Sequence, residues 1–559
     1  MSKKSRNSDV GFIMQGSILA IASIISRIVG LIYRIPLTAT IGKAGNNYYG
    51  TAYEVYNIIL LISSYSIPLA VSKLVSARIA KGHVKDAYKV LRGALIFAII
   101  SGTSASLIVY FGAEFFTEVL KTPLAAIALK VLSPTLLIVA ILGVFRGFFQ
   151  GLGTMIPSAI SQICEQIINA IVSIIAAIIM VRYGHKIGAV LANEDEYAAA
   201  FGAAGGTLGT ATGALFGLLF VLFIYFAFRK SFLKRVKKDK NKSKETITDI
   251  MGILVMTIVP VLLSTTVYNI SSIIDNGIFK NIAHIQGYSG KEIGEWWGVF
   301  TGQYKVLTNV PISIASAMAA SCVPTLTKAF HSNDNKLVQK QIGMATRFVM
   351  VIAFPCAIGM AVLGKPIMYM LFNDSDPTSY IMMWVGSISI IFYSLSTLSN
   401  GLLQGIDQLR IPVKNAIIAL VAHVIVLFLL MELFRLNIYA VVIANIFYAL
   451  FMCLLNSIAL TKHSGAEVNI YLCYIIPLIS SVIMGIVVLI IYAIFNMILC
   501  GFMSLKLSNI ISTLISIIIG AIVYFVTMML FKGLDEETLL RFPMGSKVAY
   551  YAKKMHFLR

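Results

Sequence analysis

The chain has 559 residues, of which 58% are hydrophobic and only 12% are charged, and its mean hydropathy is +0.86. A soluble protein carries about 25% charged residues, so this composition excludes an ordinary soluble globular protein and predicts a helical membrane protein. The formal net charge of +21 would suit a nucleic-acid-binding protein. However, Lys and Arg concentrate on alternate connections between apolar segments, which is the distribution that orients membrane proteins.

Apolar segments long enough to cross a bilayer recur along the whole chain, so we predict an all-α polytopic membrane protein with about fourteen transmembrane helices. Both termini are expected in the cytoplasm, because the most basic connections then lie inside. The spans are predicted near 11–42, 48–72, 89–113, 124–146, 155–182, 199–228, 250–276, 297–324, 343–372, 380–404, 412–434, 437–461, 470–499 and 507–531.

The first predicted span carries two arginines at membrane depth, Arg27 and Arg34. A charge there costs roughly 2.5–3.5 kcal/mol or more, so it needs a partner, a cavity or a function. Ser23 precedes Arg27 by one helical turn, and Gly30 follows Arg27 by one turn. Ser23, Arg27, Gly30 and Arg34 therefore lie on one helix face. We expect this face to line a water-filled cavity for an anionic ligand; a buried ion pair is the alternative.

Two carboxylates lie within later predicted spans. Glu165 is in the fifth span, and Asp275 closes a polar helix face that also carries Ser271 and Ser272 in the seventh. Carboxylates that face a cavity can bind a proton or Na⁺, so both are candidates for ion coupling or for switching between states. The alternatives are an ion pair with a buried arginine for Glu165 and a helix-end cap for Asp275.

The sixth span contains a glycine series at every fourth residue, Gly205, Gly209, Gly213 and Gly217. This spacing predicts close helix packing of the small-xxx-small kind. A helix that bends or slides during transport is the second interpretation of the same pattern.

Lys305 begins the eighth predicted span, with Asn309 one turn later. It adds a third cation at or near membrane depth, unless its side chain extends to the interface. The candidate substrate-binding residues are therefore Arg27, Arg34, Lys305, Asn309 and Ser23. The sequence contains no nucleotide-binding, zinc-protease or Cys-x-x-Cys motif, so we expect neither an enzyme nor a cofactor or metal. Na⁺, a proton gradient and the membrane potential remain as energy sources.

The basic stretch Arg229–Lys244 divides the chain into two halves with similar features. Residues 149–151 (FQG) precede Pro157, and residues 403–405 (LQG) precede Pro412, at matching junctions. An even number of spans in each half predicts parallel repeats with a substrate site between them near the midplane. The predicted domains are 1–228 (first lobe), 229–248 (basic cytoplasmic linker), 249–462 (second lobe), 463–532 (a final helix pair outside the repeat) and 533–559 (a cytoplasmic tail).

Three motifs resemble one family. Residues 26–30 (SRIVG) with Arg34 resemble the first helix of the MurJ-type lipid II flippases, and residues 66–74 (SIPLAVSKL) resemble the second helix of their stage V sporulation protein B branch. Residues 324–328 (PTLTK) are similar to the family's eighth-helix ending. The resemblance implies the fold of the multidrug/oligosaccharidyl-lipid/polysaccharide (MOP) exporter superfamily: two six-helix lobes, a central cationic cavity and a final helix pair that forms a lipid-tail groove.

The same resemblance implies site residues and a function. The family's first-helix arginines match Arg27 and Arg34, although Arg34 lies one residue later than the corresponding arginine of the best-known branch. The family's eighth-helix cation matches Lys305, while its second-helix cation is absent near Ser63 and Ser64. The implied function is translocation of an undecaprenyl-diphosphate-linked cell-wall precursor, lipid II first, across the bacterial cytoplasmic membrane by alternating access. The protein would act as a monomer, with cell-wall synthesis enzymes as candidate partners. A teichoic or capsular precursor flippase, a cation-coupled multidrug exporter and a membrane scaffold are the alternatives.

Overall fold

The computed structural model describes residues 3–64, 66–239, 246–332, 334–408 and 410–533. Within these ranges the chain is helical almost throughout and contains no β-strand. The α-helices are α1 (Lys3–Ser63), α2 (Ile67–Ala80), α3 (Val84–Val119), α4 (Ala125–Gly151), α5 (Ile156–Val190), α6 (Glu194–Lys238), α7 (Ile247–Asn269), α8 (Ser271–Ile285), α9 (Gly290–Val299), α10 (Lys305–His331), α11 (Asn335–Val362), α12 (Gly364–Phe372), α13 (Pro377–Gly386), α14 (Ser389–Gly405), α15 (Arg410–Glu432), α16 (Asn437–Ser464), α17 (Ile476–Cys500) and α18 (Leu505–Leu530). Two π-helical turns, Phe300–Tyr304 and Tyr471–Ile475, precede α10 and α17.

Helix α1 is two helices joined by a sharp turn at Gly42. This residue has φ 68° and ψ −176°, a conformation that glycine adopts without a steric penalty. Asn46 then donates hydrogen bonds back to the carbonyl oxygens of Gly42 at 2.7 Å and Thr38 at 3.2 Å. Because eight residues of straight helix rise by about 12 Å, these bonds require the chain to fold back. The turn lies where the first predicted span ends.

Ten of the described helical segments are long and apolar enough to cross a membrane, or eleven if the bent pair α13 and α14 forms one span. The prediction of an all-α, multi-pass membrane protein is therefore confirmed. The predicted number of about fourteen spans is not confirmed. One reason is that Ile28–Ala80 forms a single segment by length and composition, although it contains the turn at Gly42.

The described helices form two compact units, Met1–Gly302 and Gln303–Arg559. In the first unit α6 packs along α5 and α4, and α1 packs against α4 and α5. In the second unit α10 packs against α11 and α14, while α17 packs against α18 and α11. Helices α7–α9 group with the first unit, whereas the sequence assigned them to a second lobe. The lobe boundaries stay a prediction, and the tail from residue 534 and linker residues 240–245 lie outside the described residues.

The glycine series of α6 lies at its contact with α5. A Cβ atom on Gly205 would lie 2.5 Å from the Ala176 carbonyl oxygen, and one on Gly213 would lie 2.6 Å from the Glu165 carbonyl oxygen. Real Cβ atoms do not approach backbone atoms so closely, so only glycine permits this helix separation. The close-packing interpretation is confirmed, and sliding of α6 stays a prediction.

We expect the variant Gly205→Ala to lower the apparent melting temperature of the purified protein, because the new methyl group overpacks a backbone contact, at a cost of about 1–3 kcal/mol. Gly252→Ala is the matched control. Gly252 lies within α7, and apart from the backbone of its own helix no atom lies within 4 Å of the added methyl group, so the variant should gain about 0.5–1 kcal/mol of helix stability. Equal melting temperatures for the two variants would contradict the packing account.

Candidate functional site

Arg34 lies in the first half of α1 and stacks on aromatic rings from its second half. The Arg34 guanidinium carbon is 3.8 Å from the centroid of the Tyr49 ring. Tyr49 in turn stacks on Tyr53, with centroids 5.6 Å apart and an interplanar angle of 10°, and Tyr53 lies 5.6 Å from Tyr56. We call Tyr49, Tyr53 and Tyr56 the tyrosine column. The turn at Gly42 makes the stack achievable, because Arg34 and Tyr49 would be about 22 Å apart on a straight helix.

This stack gives the half-buried Arg34 a charge-stabilising surface, and among the described residues no acidic side chain forms an ion pair with it. A ring face attracts a guanidinium by roughly 0.5–2 kcal/mol, increasingly so away from water. The contact uses the flat face of the guanidinium, whereas a phosphate or carboxylate binds at its N–H edge. The geometry therefore suits a cation that must be stable within the protein and still able to bind an anion.

Helix α5 faces the predicted polar face of α1. The side-chain oxygen of Gln166 lies 3.7 Å from the position a Cβ atom would take on Gly30. Asn169, one turn further along α5, donates a hydrogen bond of 3.2 Å to the Tyr33 hydroxyl. At these positions the face of α1 is directed at another helix, not at lipid. The side chains of Ser23 and Arg27 lie outside the described part of the structure.

Glu165 forms an ion pair with an arginine of the neighbouring helix α4. Its carboxylate accepts a 2.8 Å hydrogen bond from Arg146, whose Nε atom donates to the Ser161 hydroxyl at 2.8 Å. The two charged side chains are 14% and 22% exposed, so the pair is mostly buried but remains accessible to water. The alternative interpretation of Glu165, an ion pair with a buried arginine, is therefore confirmed. Its role in ion coupling stays a prediction.

Asp275 is fully buried in α8, inside the helix and not at its end. The adjacent residue Asn276 donates a 2.6 Å hydrogen bond to Glu54 of α1, and Ser272 donates one of 2.8 Å to the same carboxylate. The helix-end cap proposed as an alternative for Asp275 is therefore wrong. Asp275 is buried next in sequence to Asn276, which with Ser272 forms the polar contact between α8 and Glu54 of α1.

Lys280 lies one turn further along α8 and is 1% exposed. Its ammonium group donates three hydrogen bonds, to Asn47 at 2.8 Å, Thr51 at 2.9 Å and Thr122 at 2.6 Å. An ammonium group has three donors, and these three oxygens satisfy all of them. Lys280 therefore joins α1, α8 and the α3–α4 connection, which is a structural role.

Lys305 is the first residue of α10 and directly follows the π-helical turn Phe300–Tyr304. Two side chains of this turn hold it in place. Gln303 donates a hydrogen bond to the Asp374 carboxylate at 3.0 Å, and the Tyr304 hydroxyl donates one to the Gly386 carbonyl oxygen at 3.0 Å. Lys305 is half-buried and Asn309, one turn later on the same face, is exposed. π-Helical turns occur frequently at functional sites, and this one fixes where Lys305 emerges.

The predicted site residues are thus divided between the two units. Arg34, Glu165 and Asp275 lie in the first unit, whereas Lys305 and Asn309 lie in the second. A substrate site that combines Arg27, Arg34 and Lys305 stays a proposal.

Sequence reasoning missed three features of these clusters. Arg146 is the last residue of the predicted span 124–146, so it resembled an ordinary flanking charge. Lys280 follows the predicted span 250–276 and resembled a loop lysine. The tyrosine column could have been found, because its members are separated by four and three residues and therefore share one helix face.

Membrane-crossing helices in two compact units, with cations placed within the helical segments, define a transmembrane transporter fold. Two solved structures share it. An inward-facing multidrug resistance MATE family transporter of the MOP superfamily superimposes with a TM-score of 0.63 at 16% identity, covering 80% of this chain and 99% of that one. The lipid II flippase MurJ in an inward closed conformation gives a TM-score of 0.62 at 16% identity, covering 92% and 98%.

The model of the polysaccharide biosynthesis protein family matches residues 13–330, more than half of the chain. The chain belongs to this family and is a MurJ/SpoVB-type member of the MOP superfamily. The lipid II flippase MurJ of Bacillus subtilis is 26% identical over 84% of this chain and 86% of its own length. The stage V sporulation protein B of the same organism is 22% identical over 95% and 98%.

The ion pair of Arg146 and Glu165 can be tested with a double-mutant cycle. Arg146→Gln and Glu165→Gln should each lower the apparent melting temperature of the purified protein, since each leaves a mostly buried charge without its partner. The double variant should recover part of the loss, with a coupling of about 1–3 kcal/mol. The pair Glu114 and Lys130, 2.6 Å apart between α3 and α4 but more exposed, is the control and should couple by less than about 1 kcal/mol. Similar coupling in both pairs would contradict a structural role for the buried one.

Proposed function

We propose that this protein is a flippase that moves an undecaprenyl-diphosphate-linked cell-wall precursor, lipid II first, from the inner to the outer leaflet of the bacterial cytoplasmic membrane. The observation that carries the proposal is Arg34, a cation within the first membrane segment that rests on the tyrosine column. Similarity to the lipid II flippase MurJ of B. subtilis supports a lipid-linked precursor as the class of substrate.

The chemistry of the substrate matches the proposed cations. A diphosphate carries concentrated negative charge that must be compensated away from bulk water, and Arg27, Arg34 and Lys305 would supply positive charge. Each charge-assisted hydrogen bond to a phosphate oxygen contributes roughly 1.5–3 kcal/mol. Arginine can bind two oxygens at once, whereas Lys305 acts as a point charge. Ser23 and Asn309 would add neutral hydrogen bonds.

The same cations argue against two alternatives from other functional classes, a cation-coupled multidrug exporter and a membrane scaffold. A drug exporter for cationic compounds would place like charges together at membrane depth, where repulsion is strong. A membrane scaffold gains nothing from arginines inside its spans and would still have to compensate their desolvation.

Alternating access needs an energy source, and we propose Glu165 or Asp275 as the residue that links transport to a proton or Na⁺ gradient. Glu165 is the stronger candidate, because its carboxylate is mostly buried yet accessible to water. Asp275 is fully buried and would have to become accessible in another state. The membrane potential remains the alternative energy source.

The final helix pair supports a lipid substrate. Helices α17 and α18 pack against each other, and the Tyr524 hydroxyl ties α18 to α11 by donating to the Val351 carbonyl at 2.8 Å. Large apolar side chains of α17 remain exposed, among them Ile479, Val482, Ile486 and Leu489. We propose that this apolar surface contacts the polyprenyl chain while the diphosphate lies at the cations. The protein would act as a monomer with both termini in the cytoplasm and with cell-wall synthesis enzymes as partners.

The substrate proposal predicts that Arg34→Ala fails to complement a bacterium depleted of its lipid II flippase, with lipid II in the outer leaflet measured directly. Loss of one phosphate contact should weaken binding about tenfold to a hundredfold. Arg27→Ala should behave in the same way, Arg34→Lys should restore part of the activity, and Lys305→Arg should be tolerated.

Two controls separate this outcome from misfolding. Arg182→Ala removes an exposed arginine of α5 and should complement normally. Tyr49→Phe keeps the ring beneath Arg34 and should retain activity, whereas Tyr49→Leu removes it and should lose much of the activity at equal expression. Full complementation by Arg34→Ala would contradict the proposed site. If the wild-type protein itself does not support lipid II transport, a teichoic or capsular precursor becomes the substrate to test.

A further inference from the structure

Lys280 is a buried lysine whose hydrogen-bond partners are all neutral. Its side chain is 1% exposed, and its ammonium group donates to Asn47, Thr51 and Thr122. The ring centroid of Trp297 in α9 lies 5.7 Å from the lysine nitrogen. Helix α8 is not among the described segments that are long and apolar enough to cross the membrane. The contact between α8 and α1 therefore encloses a positive charge that no hydrogen-bonded carboxylate neutralises.

The carboxylate that acts on Lys280 through space is that of Glu54. Two side chains lie between these charges. Lys280 and Asn276 both donate to the Thr51 hydroxyl oxygen, at 2.9 and 3.4 Å, and Asn276 donates to Glu54 at 2.6 Å. Glu54 thus attracts Lys280 at a distance, but it does not replace the water that burial removes from the ammonium group.

Other charged groups lie on the elements that surround Lys280, and they have weaker claims on it. Lys280 shares no hydrogen bond with any of them, because its three donors are used by neutral oxygens. Apart from the buried Asp275 they are exposed or half-buried, where water screens their charge. They are Asp275 and His284 on α8, Lys43 on α1, Glu118 and Lys121 beside the α3–α4 connection, and Lys291, Glu292 and Glu295 on α9.

Two polar atoms beside Lys280 indicate that this contact is incompletely satisfied. The Oδ1 atom of Asn276 and the Nε1 atom of Trp297 are buried, and neither has a hydrogen-bond partner among the described residues. Buried polar atoms are nearly always paired in folded proteins. A contact that releases would give these two atoms and the lysine access to water, whereas a permanent one would leave all three desolvated.

Lys280 can also exist in its neutral form within the contact. Burial lowers the pKa of Lys280 from 10.5 to about 7, and the attraction of Glu54 opposes this shift only in part. A neutral amine has two N–H donors and one lone pair. The Thr51 hydroxyl donates to no described group, so it can rotate and donate to that lone pair. The packed contact therefore accommodates the lysine after its proton has left.

Separation of α8 from α1 would return Lys280 to water and its pKa to the ordinary value. Between about pH 7 and 10.5 the separated form would then bind a proton that the packed form lacks. Acid favours whichever form binds more protons. Lowering the pH within this range therefore favours separation, and raising the pH favours packing.

We propose that Lys280 makes the contact between α8 and α1 a proton-linked switch, which releases when the lysine takes up a proton from water and forms again when it gives the proton back. With the N terminus in the cytoplasm, as proposed above, the turn at Gly42 and the α3–α4 connection both lie outside, so the switch responds to the external pH. It is distinct from the proposed substrate cations and does not depend on the identity of the substrate.

The test measures the distance between α8 and α3 by double electron–electron resonance on the full-length protein in lipid nanodiscs. Spin labels are attached through His284→Cys and Glu118→Cys, in a background whose six native cysteines are replaced by serine. Both labelled positions are exposed, and their substitution removes two titratable groups near Lys280. The ratio of separated to packed molecules should fall by up to about tenfold per pH unit between about pH 7.5 and 9.5, as expected for one linked proton.

Two substitutions of Lys280 should abolish this dependence in opposite ways. Lys280→Met cannot be protonated and should remain packed at every pH, whereas Lys280→Arg keeps its charge and should remain separated. Lys291→Met removes an exposed lysine from the first turn of α9 and should respond to pH as wild type does. Melting temperatures check that each variant is folded.

Either of two results would overturn the proposal. One is a ratio that stays constant in wild type from pH 7.5 to 9.5. The other is the same pH dependence in wild type and Lys280→Met, which would assign the response to another group. The comparison of wild type with Lys280→Met decides the question even if the larger side chain of Lys280→Arg prevents folding.

Discussion

The energetic penalty of a charge at membrane depth governs where the polar residues of this protein can be. A guanidinium in a membrane-crossing helix must have its charge compensated inside the protein, since lipid offers neither water nor counter-ions. The turn at Gly42 provides this compensation for Arg34 by returning the tyrosine column to its side. Without a residue that adopts this backbone conformation, Arg34 and Tyr49 would be far apart, and Arg34 would lack this aromatic contact.

The other charges of the first unit are compensated in a different way. Arg146 and Lys280 direct their N–H groups at defined oxygen atoms, Glu165 and Ser161 in one case and three neutral side chains in the other. Such contacts use the hydrogen-bonding capacity of the cation and hold helices together. The stack of Arg34 on Tyr49 uses the face of the guanidinium, and an anion requires its edge. This difference is the physical reason for proposing Arg34, and not Arg146 or Lys280, as a substrate-binding residue.

Much of the architecture followed from apolar periodicity, and the details that failed are non-local. Helices α3 to α6 contain the spans predicted near 89–113, 124–146, 155–182 and 199–228, because each is a continuous apolar segment between polar connections. The glycine series predicted close helix packing of α6 from the spacing of small residues, but it did not identify α5 as the partner. The π-helical turn before Lys305 and the break between α7 and α8 were not predicted, since apolar content does not report a change of helix geometry. The partner of Glu165 is on another helix, and no spacing along the chain identifies it.

The central claim is that Arg34 binds the diphosphate of a lipid-linked precursor, and transport in a purified system tests it most directly. Wild-type protein and Arg34→Ala would be reconstituted into liposomes with fluorescent lipid II, and the fraction of label reaching the opposite leaflet would be followed by chemical quenching. The account predicts that wild type moves the label faster than protein-free liposomes, that Arg34→Ala does not, and that excess unlabelled undecaprenyl diphosphate slows the wild-type rate. Equal rates for wild type and Arg34→Ala, above the protein-free background, would contradict it.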